Sequence, residues 1–226
     1  MRMASRVFSV QEKETIKRAV AEAERRTSGE IVPVMATVSG HYHRAEDIFG
    51  VLTGLLFVSL AWIFFQRVEP VQGIWASGHA VAVGLISVLL SFTAGFIVGA
   101  AAASHFPILK HPFLTGHEMK EEVARSAAVA FERFRMDKTQ GGSGILIYVS
   151  LFERMVCVQG DEAIGKKISQ SDWNEVRDSI IEGIRANRPC DGFCRAISKC
   201  GDLLAEHLPI QPNDVNELSN ELRLID

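Results

Sequence analysis

Charge is missing where a soluble domain of this size would carry it. From Ile48 to Gln66 there is no Asp, Glu, Lys or Arg; Arg67 and Glu69 interrupt, and nothing charged follows until Lys110. The overall balance of 226 residues, 47% apolar, 23% charged and net charge −3, therefore averages two unlike populations. Other absences exclude whole classes of function. No basic stripe interleaved with aromatics is present, which excludes a dedicated nucleic-acid binder. The four cysteines (Cys157, Cys190, Cys194, Cys200) contain no Cys-x-x-Cys pair and lack finger-like zinc spacing. They are also too few for the disulfide framework of a secreted domain, and read as small buried apolar groups. No Gly-x-Ser-x-Gly elbow occurs. The glycine loop at 141–144 precedes a strand and lacks the lysine of a phosphate-binding loop. Residues 1–28 are charged throughout and have no apolar core, so no cleavable signal peptide is expected.

The charge-free runs themselves are long enough to matter. Ile48–Phe65 approaches the roughly 20 apolar residues that cross a bilayer. The second run, 74–103, is longer than needed, so its helix is expected to begin late or tilt. Trp62, Phe64, Phe65 and Trp75 gather around the short connection, as in an aromatic belt at an interface. Lys and Arg number eight before the first span, one between the spans and fifteen after them. Two spans put both termini on one side, and this distribution makes that side cytoplasmic, at the inner (plasma) membrane. Gly50-x-x-x-Gly54 and Gly95-x-x-x-Gly99 permit close helix contact, either within the hairpin or in self-association. The spans hold no carboxylate or lysine, and His79 alone titrates there, which disfavours a transport pathway.

Outside the runs the pattern is that of a small α/β domain. Ser9-x-x-Glu12 is a capping box, and Ile16, Ala19, Val20 and Ala23 recur at helical spacing, predicting a helix over about 10–27 that stops at Gly29 in a left-handed conformation. Glu30–Ser39 is β-branched and predicts a strand; Pro33 cannot donate to a ladder and calls for an edge or irregularity beside it. A helix is expected over 116–135, then Ile145–Leu151 and Arg154–Gln159 as a hairpin with Phe152 and Glu153 between them. Helices over 172–187 and 190–207 follow, and the tail from Pro212 packs as a short helix or stays extended. Parallel pairing of the first two strands would place the apolar hairpin inside their crossover. The segments are then 1–47 and 105–226 for the divided domain and 48–104 for the transmembrane hairpin.

Four stretches carry a family likeness: SGEIVPV (28–34), GILIYVSLFERMVCVQGDEAIGKKI (144–168) with Trp173 after it, GFCRAI (192–197) and PNDVNELSNEL (212–222). On these the chain resembles the TPM domain family, in the branch where a transmembrane hairpin interrupts the domain. The resemblance implies a small mixed sheet with helices on both faces. It also implies one of several roles described among relatives: acid phosphatase, divalent-cation binder, a factor in repair or assembly of membrane complexes, or receptor modulator. Relatives with the phosphatase label carry Asp-Asn-Gly ahead of the second strand, where this chain has Gly142-Ser143-Gly144.

One end of such a sheet would gather acidic residues. If the first two strands are parallel, Glu30, Asp137, Asp161 and Glu162 approach one another, and oxygen ligands from several loops suit Ca²⁺ or Mg²⁺. A bound cation could polarise a phosphoryl oxygen. Against this stands the plainer reading of Glu30 as a solvated strand start, Asp137 as a helix end and Asp161 as a turn or cap residue. Arg154, in the hairpin turn, is either an anion contact or simply solvated. The expected function is a membrane-anchored binding or scaffolding module at the cytoplasmic face. The alternative is a divalent-metal-dependent, acid-phosphatase-like hydrolase. The expected partners are the lipid bilayer, membrane proteins and a second copy through the glycine motifs, but not nucleic acid.

Overall fold

The computed structural model describes residues 3–65, 83–134, 136, 144–211 and 216–226. The chain divides into two units, 41–115 and 2–40 with 116–226.

The larger unit is a four-stranded mixed sheet with helices on both faces. It opens with α1 (Val10–Glu24), whose N-terminus is closed by the Ser9–Glu12 capping box in both directions. The strand β1 (Glu30–Ala36) follows, buried at every position. A run of apolar residues without alternation is what a strand covered on both faces requires. After the inserted unit come α4 (Gly116–Arg133), β2 (Gly144–Ser150), β3 (Met155–Gly160), the short α5 (Glu162–Gly165), α6 (Gln170–Arg185), α7 (Pro189–His207) and β4 (Arg223–Ile225). The order across the sheet is β3-β2-β1-β4. β1 pairs in parallel with β2 from Glu30↔Gly144 to Ala36↔Ser150, while β3 returns antiparallel to β2. The two central strands therefore flank the inserted helices in sequence yet pair in full register.

The alternating side chains of β1 and β2 serve two cores. Ile31, Met35, Ile145, Ile147 and Val149 pack with residues of α1, α6 and α7, among them Ile16, Val20, Ile180, Phe193 and Ile197. Val32, Val34, Ala36, Leu146 and Tyr148 pack with Val123, Ala127 and Ala130 of α4. Pro33 finds its edge, because β4 pairs only with Val34, Met35 and Ala36.

Some elements differ from expectation. α1 ends at Glu24, because Arg25 caps it and Thr27 is drawn into a bridge with Pro209. Gly29 is not a left-handed stop. It is small because Leu204 of α7 lies where a Cβ would project, 2.8 Å from it. α6 starts two residues early, at a second capping box formed by Ser169 and Asp172. The β2–β3 connection is a four-residue turn, Leu151–Arg154. Val129 of α4 is 59% exposed rather than core. Of the tail, residues 216–226 are described; they hold no helix, and Arg223–Ile225 run extended as β4 against β1.

The inserted unit consists of α2 (His43–Phe65) and α3 (Leu85–His105), followed by two short 3₁₀ turns. Both helices are long and apolar enough to cross a membrane, and only 11% of each apolar stretch is buried. α3 begins at Leu85, later than the apolar run does. The glycine motifs face each other: Gly50 and Gly54 of α2 lie against Phe96 and Phe92, and Gly95 and Gly99 of α3 against Thr53, Phe57 and the α2 backbone. Thr53 Oγ1 donates across the pair to the Gly95 carbonyl at 2.9 Å. At the foot of this unit Lys110 forms an ion pair with Glu46, both largely buried. Arg67, Glu69, Trp75 and His79 lie outside the described residues.

Candidate functional site

Glu30, Gly144 and Gly160 lie at one end of the sheet, since Glu30 pairs with Gly144 and Gly160 with Ile145. The Asp161 amide donates to the Gly144 carbonyl at 3.2 Å, which brings Asp161 to the same end. Asp161 caps α5: its Oδ1 accepts from the Ile164 amide at 2.7 Å. Its Oδ2 is buried with no hydrogen-bond partner among the described residues. Glu162 is exposed and pairs with Lys166 at 2.7 Å, one helical turn on. Asp137 lies outside the described residues. Among the described residues no three His, Cys, Asp or Glu side chains converge on a point a metal could occupy.

Glu30 is not solvated; it is 7% exposed. Its Oε1 accepts from the Glu217 amide at 3.0 Å. Beside it stands Glu24, a residue that nothing in the sequence singles out. Glu24 Oε1 accepts from the Ile31 amide at 3.0 Å, and Oε2 accepts from the side-chain amides of Asn220 at 2.7 Å and Asn216 at 3.2 Å. Burial, reinforced by the Glu30 charge and opposed by the donors from Ile31 and Asn220, pushes the Glu24 carboxyl up to about 8. At neutral pH the Glu24 carboxyl therefore keeps its proton beside Glu30. The Asn-Glu-Leu repeats of the tail now have a physical role. Asn216, Glu217 and Asn220 clamp the C-terminal segment onto this carboxyl pair before it enters β4.

The opposite end, beyond the carboxyl ends of the parallel strands, is where ligands bind in many α/β folds. Here it holds a polar cluster around Glu153, which is 4% exposed in the β2–β3 turn. Glu153 Oε1 accepts from the amides of Ser39 at 3.0 Å and Gly40 at 3.2 Å, while Oε2 accepts from the Ser150 hydroxyl. Ser39 Oγ donates to Ser150 Oγ at 2.9 Å and lies 3.1 Å from the Tyr148 hydroxyl. Ser126 of α4 donates to the Ser39 carbonyl at 2.9 Å. Burial raises the Tyr148 phenol above its ordinary value, so it stays neutral. With the carboxylate committed to three donors, the cluster is a clasp that holds the exit of β1 against the hairpin turn.

Cys157 lies on β3 opposite Tyr148, and burial raises its thiol. Cys200 is fully buried, and burial pushes its thiol far up. Burial likewise pushes Cys190 up to about 12, and Cys190 Sγ donates weakly to the Glu12 carbonyl at 3.7 Å. Such thiols are packing groups at neutral pH.

No family model matches the chain. No curated protein matches it either. Among solved structures it is similar to the NMR structure of the BA42 protein from the psychrophilic bacterium Bizionia argentinensis, with a TM-score of 0.54 and 18% identity, covering 96% of this chain and 94% of that one. At that identity the likeness is one of fold alone.

Proposed function

We propose that this protein is an integral membrane protein in which a TPM-like domain is carried on a two-span hairpin at the inner (plasma) membrane, both termini cytoplasmic, and acts there as a binding or scaffolding module. The observation that carries this reading is the state of α2 and α3. Their glycine-lined faces are spent on each other, and their outer faces remain apolar: Leu55 is 53% exposed, Ile63 70%, Phe64 74% and Ile86 75%. Lipid is the solvent in which such surfaces cost nothing, whereas in water patches of this kind drive association. The four stretches that carry the family resemblance lie on β1, on β2 through α5, on α7 and on the carboxyl clamp, which supports the TPM-like reading. Cysteine labelling tests the topology. In intact cells an impermeant maleimide should modify Glu69→Cys, which lies between the two apolar runs in sequence, and spare Glu22→Cys on α1. Extraction of the protein by alkaline carbonate without detergent would refute membrane insertion.

A second reading, the divalent-metal-dependent phosphatase-like hydrolase, is favoured by one observation: the buried, unpartnered Asp161 Oδ2 at the Glu30 end of the sheet. Glu30, Asp137, Asp161 and Glu162 would be its Ca²⁺ or Mg²⁺ ligands. Asp161→Asn keeps a good helix cap while removing the charge. Metal-dependent hydrolysis of a phosphate ester that this variant abolishes would establish the reading, and no thermal response to millimolar metal would end it.

A further inference from the structure

Beside the β2–β3 turn lies a cavity of about 520 Å³ that neither reading uses. The carboxyl end of β2, the start of β3 and the last turn of α6 line it. Its volume falls within the range of small-molecule sites. Val156, Met155 and Ile184 make it largely apolar, and Ile184 is left 38% exposed to it. Two guanidinium groups, Arg154 and Arg185, complete the lining. Neither makes an ion pair or hydrogen bond with another described residue, although most of the arginines on the helices of this domain do. Arg154 is moreover held at φ +55°, a left-handed conformation that a long side chain rarely adopts. That backbone is sustained because the preceding residue, Glu153, is anchored by Ser39, Gly40 and Ser150. The clasp thus fixes the position from which Arg154 reaches the cavity.

We infer that this cavity binds a small organic anion, an acidic head of carboxylate or phosphate type on a short apolar body, with Arg154 and Arg185 meeting the head and the wall formed by Met155, Val156 and Ile184 meeting the body. Arginine suits the head group because its planar fork donates two parallel hydrogen bonds to such oxygens. Together the two residues supply the charge complementarity, and the apolar wall discriminates against bare inorganic anions. The inference names a ligand class for the binding role proposed above and rests on that role, but not on the membrane placement. Its failure would leave the labelling result untouched.

The test uses the full-length protein in nanodiscs of zwitterionic lipid, with empty nanodiscs subtracted, titrated in a calorimeter with hexanoate, hexyl phosphate, hexanol and inorganic phosphate. Saturable binding of hexanoate or hexyl phosphate, one per chain, is expected. Hexanol and inorganic phosphate should bind at least about tenfold more weakly, and Arg154→Gln and Arg185→Gln should each weaken the anion about tenfold or more. Arg185→Gln lies on an exposed helix end and should leave the melting temperature unchanged. Arg154→Lys, which keeps the charge, should retain part of the affinity. The inference is overturned if neither amphiphile saturates at millimolar concentration, if both Gln variants bind as tightly as the parent, or if hexanol or inorganic phosphate binds as well as its anionic amphiphile.

Discussion

Glu24, the last residue of α1, stands beside Glu30, the first residue of β1, and burial together with the Glu30 charge pushes the Glu24 carboxyl up to about 8. Two carboxylates this close cannot both ionise without a large electrostatic cost. The pair also holds the C-terminal segment, because Asn216 and Asn220 donate to Glu24 and the Glu217 amide donates to Glu30.

A pH dependence follows, with a definite sign. In the unfolded chain Glu24 ionises near 4.5; in the folded protein it keeps its proton up to about 8. Between these values the folded state binds more protons, so stability falls as pH rises from 4.5 towards 8 and flattens beyond. Glu24→Gln preserves the acceptor for the Ile31 amide and removes the titration. Thermal melts at pH 5 and pH 8 should show a parent protein whose melting temperature falls by a few degrees more than that of the variant, about 2–4 °C per kcal/mol in a chain of this size.

Glu153→Ala should cost about 3 kcal/mol or more, because the amides of Ser39 and Gly40 lose their buried acceptor. Glu153→Gln should cost less, since one oxygen can still receive both amides. Denaturant titrations followed by circular dichroism would rank the two.

Replacing Gly99 with Leu should separate α2 from α3. A Cβ at Gly99 already collides with the Thr53 side chain, and one at Gly95 would lie 2.8 Å from the Thr53 carbonyl. Overpacking costs about 1–3 kcal/mol, and here it also breaks the Thr53–Gly95 hydrogen bond. Melts in detergent should show the loss, while Thr93→Ala, a position whose hydroxyl bonds only within its own helix, should be close to neutral.

The Lys110–Glu46 pair supplies a double-mutant cycle. With side-chain exposures of 10% and 16%, each partner is largely out of water. Lys110→Met alone strands the Glu46 charge and should destabilise by about 3–5 kcal/mol, whereas Lys110→Met with Glu46→Gln should recover most of that loss. Equal losses in the single and double variants would show that the pair contributes nothing beyond packing.

Much of the fold is legible along the chain because the forces that set it are local. The gap in charge from Ile48 announces α2, and the Ser9–Glu12 pair announces α1. The apolar runs of β1 and β2 announce strands covered on both faces, and the parallel pairing was open to inference from the length of their connection. The candidate site was less legible. The amino end of the parallel strands, with Glu30, Gly144 and Asp161, could be anticipated from the hairpin geometry, but Glu24 could not. It occupies an ordinary position on a charged helix, and its partners Asn216 and Asn220 lie almost two hundred residues away. Glu153 likewise looked like a turn residue until Ser39, on the far side of the inserted helices, was brought to it.

What the sequence determined by itself was where chain could be helix, strand or apolar span, because hydrogen-bonding periodicity and transfer from water act on neighbouring residues. What only the tertiary structure decided was which distant residues meet: the Glu24–Glu30 pair, the Glu153 clasp, the two arginines at one cavity and the three-residue β4. Each of these depends on desolvation and pairing between segments whose separation along the chain conceals them, and that is where the chemistry of this protein resides.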